Sequence, residues 1–358
     1  MFTFIPEALD DACYKAKIWE PDWLPRPAPF KTTPWIAVSV LQKAIRRAEE
    51  GLALRAASTL FELDPKRLWR RLGIIAFEDV GIGGVGHLQI VLPALGGKRV
   101  RAMAGGEWAV AARLVLLLAR SNKCRAVDDL WMVAGHLPAY AKLRLKLASG
   151  SADDVTEIFK TAPSQEVKAV ALYSLHEAMW EWLGHRKGKD IALAFELLEQ
   201  DGCPRDVLEL CRLGYKRTRE PLALIYPLIL MCPPHEVEVL DDQFPAQEFK
   251  DGIPLWAVDK HTRQGKAAYA KFLETDTLTS LWIKENVPAR SRLEVLGRLV
   301  FAAESGQMRH RLNWPFAEHL RYQWQRHCLS FQCPDGAEPL ATLPGEIPLL
   351  NELRGKCL

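Results

Sequence analysis

The chain has 358 residues, of which 49% are hydrophobic and 25% are charged, so it can bury a sizeable core in one large or two ordinary domains. With a formal net charge of +3, the chain as a whole is not basic enough to bind nucleic acid by its overall charge. Only local basic clusters could do so. The eight cysteines form no CxxC pair, so we predict free thiols and no metal site. There is no apolar run of roughly 18 residues and no evident signal peptide, so we expect a cytoplasmic protein without membrane contact.

Residues 1–34 contain six prolines, which alternate with aromatic residues. Proline lacks an amide donor and breaks helices, so this segment is not expected to be helical. Its aromatic content is too high for a disordered linker. We therefore predict an N-terminal arm in an extended conformation that packs on the body of the protein.

Residues 35–148 form the first predicted helical domain. Apolar residues recur at helical spacing from Trp35, and a second helix is predicted at about 51–62. Asp64 is a good N-cap and Pro65 suits the first helical position, so a third helix is predicted from there to about Val80. Further helices are predicted at about 85–94, 106–121, 124–135 and 137–147.

A loop of small and acidic residues at 149–154 separates this domain from a second helical domain, 153–330. Strand signals are scarce, so the predicted fold class is all-α and multi-helical. The helices of the second domain are predicted near 153–160, 164–184, 189–200, 204–213, 220–231, 262–274, 276–285, 289–304 and 312–327. Residues 232–256 are predicted to form a loop, and 331–358 an irregular C-terminal tail.

Two sequence blocks in the first domain match a known pattern. Ala37, Ser39, Leu41, Lys43 and Arg46 correspond to A-I-S-A-L-x-K-S-x-R. Asp64-Pro65, Leu68, Arg70-Arg71-Leu72, Ala76 and Glu78-Asp79-Val80-Gly81 correspond to D-P-x-x-I-x-R-R-L-x-x-x-A-x-E-D-I-G. With these blocks, residues 35–140 resemble the C-terminal helical region of the RarA/MgsA (WRN-interacting protein) ATPases, which are relatives of clamp loaders that act at stalled replication forks.

The resemblance implies a collar-like helical scaffold that can self-associate, with partners in the replication machinery and with DNA. It does not carry over ATP hydrolysis, because the sequence contains no G-x-x-x-x-G-K-[ST] phosphate-binding loop. We therefore predict no cofactor.

The block also contains an acidic pair, Glu78 and Asp79. Neighbouring residues on an α-helix point about 100° apart, so the two carboxylates are not expected to converge on one site. We predict that they form a structural polar network with Arg70 and Arg71, with a partner-binding patch as the alternative. The following G-x-G-x-x-G at 81–86 comes after a helix rather than a strand, so Gly81 is expected to end that helix and not to bind a dinucleotide.

Outside the resemblance, a basic cluster surrounds a predicted helix start. Thr262 would N-cap the helix, and the amides of the first turn would face an anion or a nucleic-acid phosphate. The predicted anion-binding residues are Lys260, His261, Thr262, Arg263 and Lys266. One alternative is a capped surface helix with solvated basic residues, and another is an enzyme site in which Asp259 orients His261.

The sequence favours a non-enzymatic helical interaction protein related to the collars of DNA replication and repair ATPases, which binds protein partners and DNA. No catalytic motif is recognisable. Two other functions stay open: an enzyme or anion-binding module around His261, Arg263 and Lys266, and a purely structural oligomeric scaffold.

Overall fold

The computed structural model describes residues 24–176, 190–232, 234–329 and 333–358. Within these ranges the protein consists of eighteen α-helices, short 3₁₀ and π turns and two very small antiparallel sheets, which confirms the all-α prediction. None of the described helices combines the length and the apolar composition that a membrane crossing requires.

Most of the helices follow one another with short connections, and a long one separates the helix that ends at Leu230 from the helix that begins at Arg263. Up to residue 150 they are Pro34–Arg46 (α1), Glu50–Leu63 (α2), Pro65–Ile75 (α3), His87–Ala94 (α4), Lys98–Met103 (α5), Glu107–Arg120 (α6), Ala126–His136 (α7) and Ala141–Ser149 (α8). The next group is Ala152–Lys160 (α9), Gln165–Leu175 (α10), Ile191–Gln200 (α11), Arg205–Thr218 (α12) and Leu222–Leu230 (α13). The last group is Arg263–Leu273 (α14), Leu278–Asn286 (α15), Arg292–Val300 (α16), Pro315–His327 (α17) and Ala337–Cys357 (α18).

Strands occur only as short pairs in the described ranges. Glu238–Leu240 (β1) pairs antiparallel with Arg311–Asn313 (β4), and Phe249–Lys250 (β2) pairs antiparallel with Ile253–Pro254 (β3). Three differences from the predicted elements stand out: α5 was not predicted, the loop at 232–256 contains three of these strands, and the helix predicted at 164–184 ends at Leu175. Residues 177–189 lie outside the described ranges.

Two helix starts confirm the capping predictions. The Asp64 side chain accepts a hydrogen bond from the backbone N–H of Arg67 at 3.1 Å, and Pro65 is the first residue of α3. The Thr262 hydroxyl oxygen accepts from the backbone N–H of Gly265 at 2.9 Å at the start of α14. Both caps satisfy an amide that the helix itself leaves unpaired.

Helices α3 and α16 each end in a π turn. The predicted third helix continues to Val80, but its last residues, Ala76–Val80, form a π turn. Gly81 ends this turn with a φ of +50°, where a β-carbon would lie 2.3 Å from the carbonyl oxygen of Cys124. The helix end predicted at Gly81 is therefore confirmed. The second π turn, Phe301–Ser305, follows α16 in the same way.

The apolar side chains form two buried clusters. The larger extends from Phe30 to Cys328 and includes residues on both sides of the connection between α8 and α9, such as Leu147 and Val155. The smaller begins at Tyr269 and is formed by α14, α15, α16 and α18. This connection, within the loop predicted at 149–154, therefore does not divide two apolar cores.

The N-terminal arm is described from residue 24, and residues 1–23 of the predicted arm lie outside the described ranges. Residues 24–33 contain no helix and lie alongside α2. Phe30 is buried, and its backbone N–H donates to the Thr59 hydroxyl at 2.9 Å. The indole N–H of Trp108 donates to the carbonyl oxygen of Leu24 at 3.0 Å.

The prediction of an irregular C-terminal tail is wrong, because residues 337–357 form helix α18. The buried residues Leu343, Ile347 and Leu350 recur at helical spacing and pack into the smaller cluster. The two prolines inside the helix, at 344 and 348, are exposed. The burial of this apolar face outweighs the two backbone hydrogen bonds that these prolines remove.

Gly81 provides a test of this backbone geometry. We expect Gly81→Ala to lower the free energy of unfolding by roughly 2 kcal/mol or more, because its φ is positive and a β-carbon would meet the Cys124 carbonyl. The control is Gly51→Ala in the first turn of α2, where nothing lies within 4 Å and a gain of up to about 1 kcal/mol is expected. Urea denaturation measures both, and equal effects of the two variants would contradict the described turn.

Candidate anion-binding cleft

A cleft of about 490 Å³ lies among α1, α3 and the loop that precedes α14. Its walls are rich in charge, with five cationic and three acidic side chains. The cationic residues are Lys43, Arg46, Arg67, Arg70 and Arg71, and the acidic residues are Glu78, Glu220 and Asp259. The cleft thus brings together residues of the acidic-pair block and of the basic cluster, which are far apart in the chain.

Beneath the cleft, Asp79 is fully buried and is bound by three side chains. Arg46 donates from Nε to Oδ1, and Arg125 donates from Nη1 to the same oxygen at 2.5 Å. The other carboxylate oxygen, Oδ2, accepts from the Gln42 amide at 2.8 Å. Two guanidinium groups therefore compensate the charge of a carboxylate that has no contact with water.

Glu78 shares the same two guanidinium groups. Its Oε1 accepts from Arg46 at 3.1 Å and from Arg125 at 3.0 Å. Burial alone would raise the pKa of Glu78, but the charges of Arg125 and Arg46 outweigh this effect and lower the pKa to about 2. Residues on a regular α-helix would not bring two neighbouring carboxylates together without help, and here both reach the same two guanidinium groups from the π turn.

The second π turn completes the surroundings of Arg46. Arg46 Nη1 donates to the carbonyl oxygen of Ser305, in this second turn, at 2.8 Å. The guanidinium carbons of Arg46 and Arg125 lie 5.1 and 4.9 Å from the centre of the Phe301 ring. These cation–π contacts place an aromatic wall beside the two buried cations.

At the other end of the cleft, Lys43 and Asp259 form a buried ion pair. Lys43 Nζ lies 2.6 Å from Asp259 Oδ2 and donates to the carbonyl oxygen of Trp256 at 2.7 Å. The Ser39 hydroxyl donates to the same carboxylate at 3.1 Å. Burial lowers the pKa of Lys43 to about 8 despite the attraction of Asp259. Burial alone would raise the pKa of Asp259, but the charge of Lys43 outweighs this effect and lowers the pKa to about 2.

The basic cluster predicted from the sequence is only partly in the cleft. His261 lines it, and its backbone N–H donates to Asp259 Oδ1 at 2.9 Å. Thr262 is buried as a helix cap, and Lys260 pairs with Glu294 at 2.7 Å. Two residues, Arg263 and Lys266, are exposed and do not line the cleft.

Arg70 and Arg71 lie on the opposite wall. Arg70 Nε donates to the carbonyl oxygen of Thr218 at 2.9 Å, so it binds the end of α12 rather than the acidic pair. Arg71 Nη1 donates to Gln42 Oε1 at 3.0 Å. Because the amide nitrogen of Gln42 binds Asp79, its oxygen is left to face Arg71. Arg71 thus reaches the buried network through one intervening side chain.

Two donors in the cleft walls lack an acceptor. Arg71 Nε and Arg67 Nη1 are both buried, and no hydrogen-bond partner is present for either. Arg71 forms no ion pair with any carboxylate in the described part of the chain, whereas Arg67 pairs with Asp64 at 3.0 Å. Buried donors are nearly always paired, so each of these two atoms has a hydrogen bond left to donate.

Sequence reasoning did not assign a site role to Gln42 or Arg125, although one signal was present in α1. The polar residues Ser39, Gln42, Lys43 and Arg46 are spaced by three, one and three, which puts them on one face of an otherwise apolar helix. All four are buried. Among the described residues, no group of three or more His, Cys, Asp or Glu side chains is arranged to hold a metal ion.

A double-mutant cycle tests the buried pair. We expect Lys43→Met or Asp259→Asn alone to lower the free energy of unfolding by roughly 3–5 kcal/mol, because each leaves a buried charge without its partner. The double variant should lose clearly less than the sum of the two. The control is the exposed pair Lys356–Glu352, for which urea denaturation should show a coupling of at most about 0.5 kcal/mol. Additive effects at Lys43 and Asp259 would contradict the described contact.

The low pKa of Asp259 gives a prediction for pH. Its folded value of about 2 is below the ordinary 3.8, so the stability that it contributes is complete above pH 3.8 and decreases as pH falls towards 2. In Asp259→Asn, the free energy of unfolding should therefore depend less steeply on pH in this interval than in the unchanged protein. Chemical denaturation at a series of pH values measures the slope, and identical slopes would argue against this ionisation.

Comparisons with protein-family models, with curated proteins and with solved structures give no match for this chain. The likeness of residues 35–140 to the RarA/MgsA collar therefore rests on the sequence motifs alone. The roles of the cleft residues rest on their geometry.

Proposed function

We propose that this protein is a non-enzymatic binding protein whose cleft binds a phosphate group of its ligand. The observation that carries the proposal is the buried, unpaired Nε of Arg71 in the cleft wall. A phosphate oxygen would provide the acceptor that this donor lacks. Guanidinium groups bind phosphate through two parallel hydrogen bonds, which suits an arginine that is already held from one side.

The charges of the cleft support an anionic ligand. Lys43 is occupied by Asp259, and Arg46 is occupied by Glu78 and Asp79. Arg70 is more than half exposed and lies 3.8 Å from Glu220, too far for a hydrogen bond. The cations of α3 are therefore incompletely neutralised, and they face a concave space of the size that small ligands occupy.

The cluster at Lys260–Lys266 is less suited to bind the phosphate by itself. Thr262 already accepts the N–H of Gly265, and Lys260 is paired with Glu294. Asp259 binds Lys43 and the backbone N–H of His261. Its carboxylate therefore does not orient the His261 ring, as the alternative of an enzyme site would require. His261 is the residue of this cluster that the proposal retains in the site.

The resemblance of residues 35–140 to replication and repair ATPase collars extends the proposal. It favours DNA as the source of the phosphate, proteins of the replication machinery as partners, and self-association of the chain. The cleft wall formed by α1 and α3 lies within this segment.

The proposal is tested by titrating the protein with inorganic pyrophosphate and with a short single-stranded DNA in a calorimeter. We expect Arg71→Ala to weaken binding roughly 10- to 100-fold, because a charge-assisted hydrogen bond is lost. Affinity should also fall as salt is added. Arg71→Lys should restore only part of the affinity, since an ammonium group cannot form the bidentate contact.

The matched control removes two charges outside the cleft. Arg263→Ala combined with Lys266→Ala should leave pyrophosphate binding almost unchanged, because both side chains are exposed away from the cleft. A loss in this control as large as that in Arg71→Ala would move the site to the start of α14. No binding of either ligand by the unchanged protein would refute the proposal.

A further inference from the structure

An exposed tryptophan lies at the edge of the same cleft. Trp35, the second residue of α1, lines the cleft and keeps 59% of its surface exposed. Large aromatic side chains are more often buried, so an exposed indole beside a charged cleft requires an explanation. The buried core of α1 begins with the next residue, Ile36, and does not include Trp35.

A guanidinium group lies over this indole in a cation–π contact. The Arg67 guanidinium carbon lies 4.2 Å from the centre of the Trp35 ring. Arg67 is itself held by Asp64, which caps the same helix, α3. The guanidinium therefore has a fixed position against the ring, while most of the indole surface remains accessible. Trp35 and Arg67, which we call the stacking pair, thus place a cation against an indole whose surface stays largely exposed.

The geometry points to a nucleotide as the ligand, with its base on the stacking pair and its phosphate on Arg71. This inference rests on the proposed function and specifies the chemistry of its ligand. Bases stack on aromatic and guanidinium planes whatever their sequence, because each base has a π-face. Arg67 and Arg71 are four residues apart on α3, so they lie on one face of the helix, and both line the cleft.

The size and polarity of the cleft agree with a single nucleotide. Its volume of about 490 Å³ lies in the range of pockets that hold one small organic ligand. The charged walls suit the sugar and phosphate, and Trp35 offers the apolar surface that a base requires. A free nucleotide and a nucleotide at the end of a single strand present this same chemistry.

The test compares two ligands that differ only by the base, adenosine 5′-monophosphate and ribose 5-phosphate, in calorimetric titrations of the full chain. The unchanged protein should bind the nucleotide roughly 5- to 150-fold more tightly. Trp35→Ala should remove most of this difference and leave the affinity for ribose 5-phosphate almost unchanged. Trp35→Phe should restore part of it. Leu278→Ala, at another exposed apolar residue outside the cleft, is the control for the loss of surface.

Equal affinity of the unchanged protein for the two ligands would overturn the base-stacking inference but not phosphate binding. A parallel loss for both ligands in Trp35→Ala would overturn it as well, since Trp35 would then act on the cleft as a whole. If ribose 5-phosphate, pyrophosphate and single-stranded DNA all fail to bind, the proposed function itself is refuted. A single-stranded oligonucleotide that binds more tightly than the mononucleotide identifies nucleic acid as the source of the ligand.

Discussion

The buried guanidinium of Arg46 joins the two π turns, and the cleft depends on this junction. It contacts Glu78 and Asp79 in the first turn and the carbonyl oxygen of Ser305 in the second. Since α3 and α16 each widen into such a turn, the carboxylates and the carbonyl can meet one side chain of α1. π turns inside α-helices are often found at functional sites, and here they fix the floor of the cleft.

The network extends from this floor to the cleft wall through Asp79, Gln42 and Arg71. Buried ion pairs add little net stability, because removing charges from water costs about as much as the attraction returns. Their value here is positional: with Asp79 neutralised by two guanidinium groups, Gln42 has one orientation and holds Arg71 by Nη1, which leaves Arg71 Nε without a partner in the described structure. In the phosphate site that we propose, Arg71 is thus positioned by residues of the buried network.

Local features of the fold could be predicted from the sequence, whereas the site could only be predicted in part. Helix caps and helix ends depend on a few neighbouring residues, so a short stretch of sequence is enough to predict them. The structure shows this at Asp64, Thr262 and Gly81. Helix α18 was not predicted, because its two interior prolines indicate a break in the helix. Its apolar face stabilises the helix only when it packs against the rest of the protein. The polar face of α1 was visible in the sequence. Its partners, such as Asp259, are distant in the chain, and pairing across such distances is set by tertiary packing.

The account is tested most directly by an experimental structure of the protein with adenosine 5′-monophosphate. It predicts a phosphate oxygen within hydrogen-bond distance of Arg71 Nε and the base stacked on the exposed face of Trp35. Gln42 should remain between Asp79 and Arg71. A nucleotide bound at Arg263 and Lys266 would contradict the account, as would an empty cleft in which Arg71 Nε has found an acceptor within the protein.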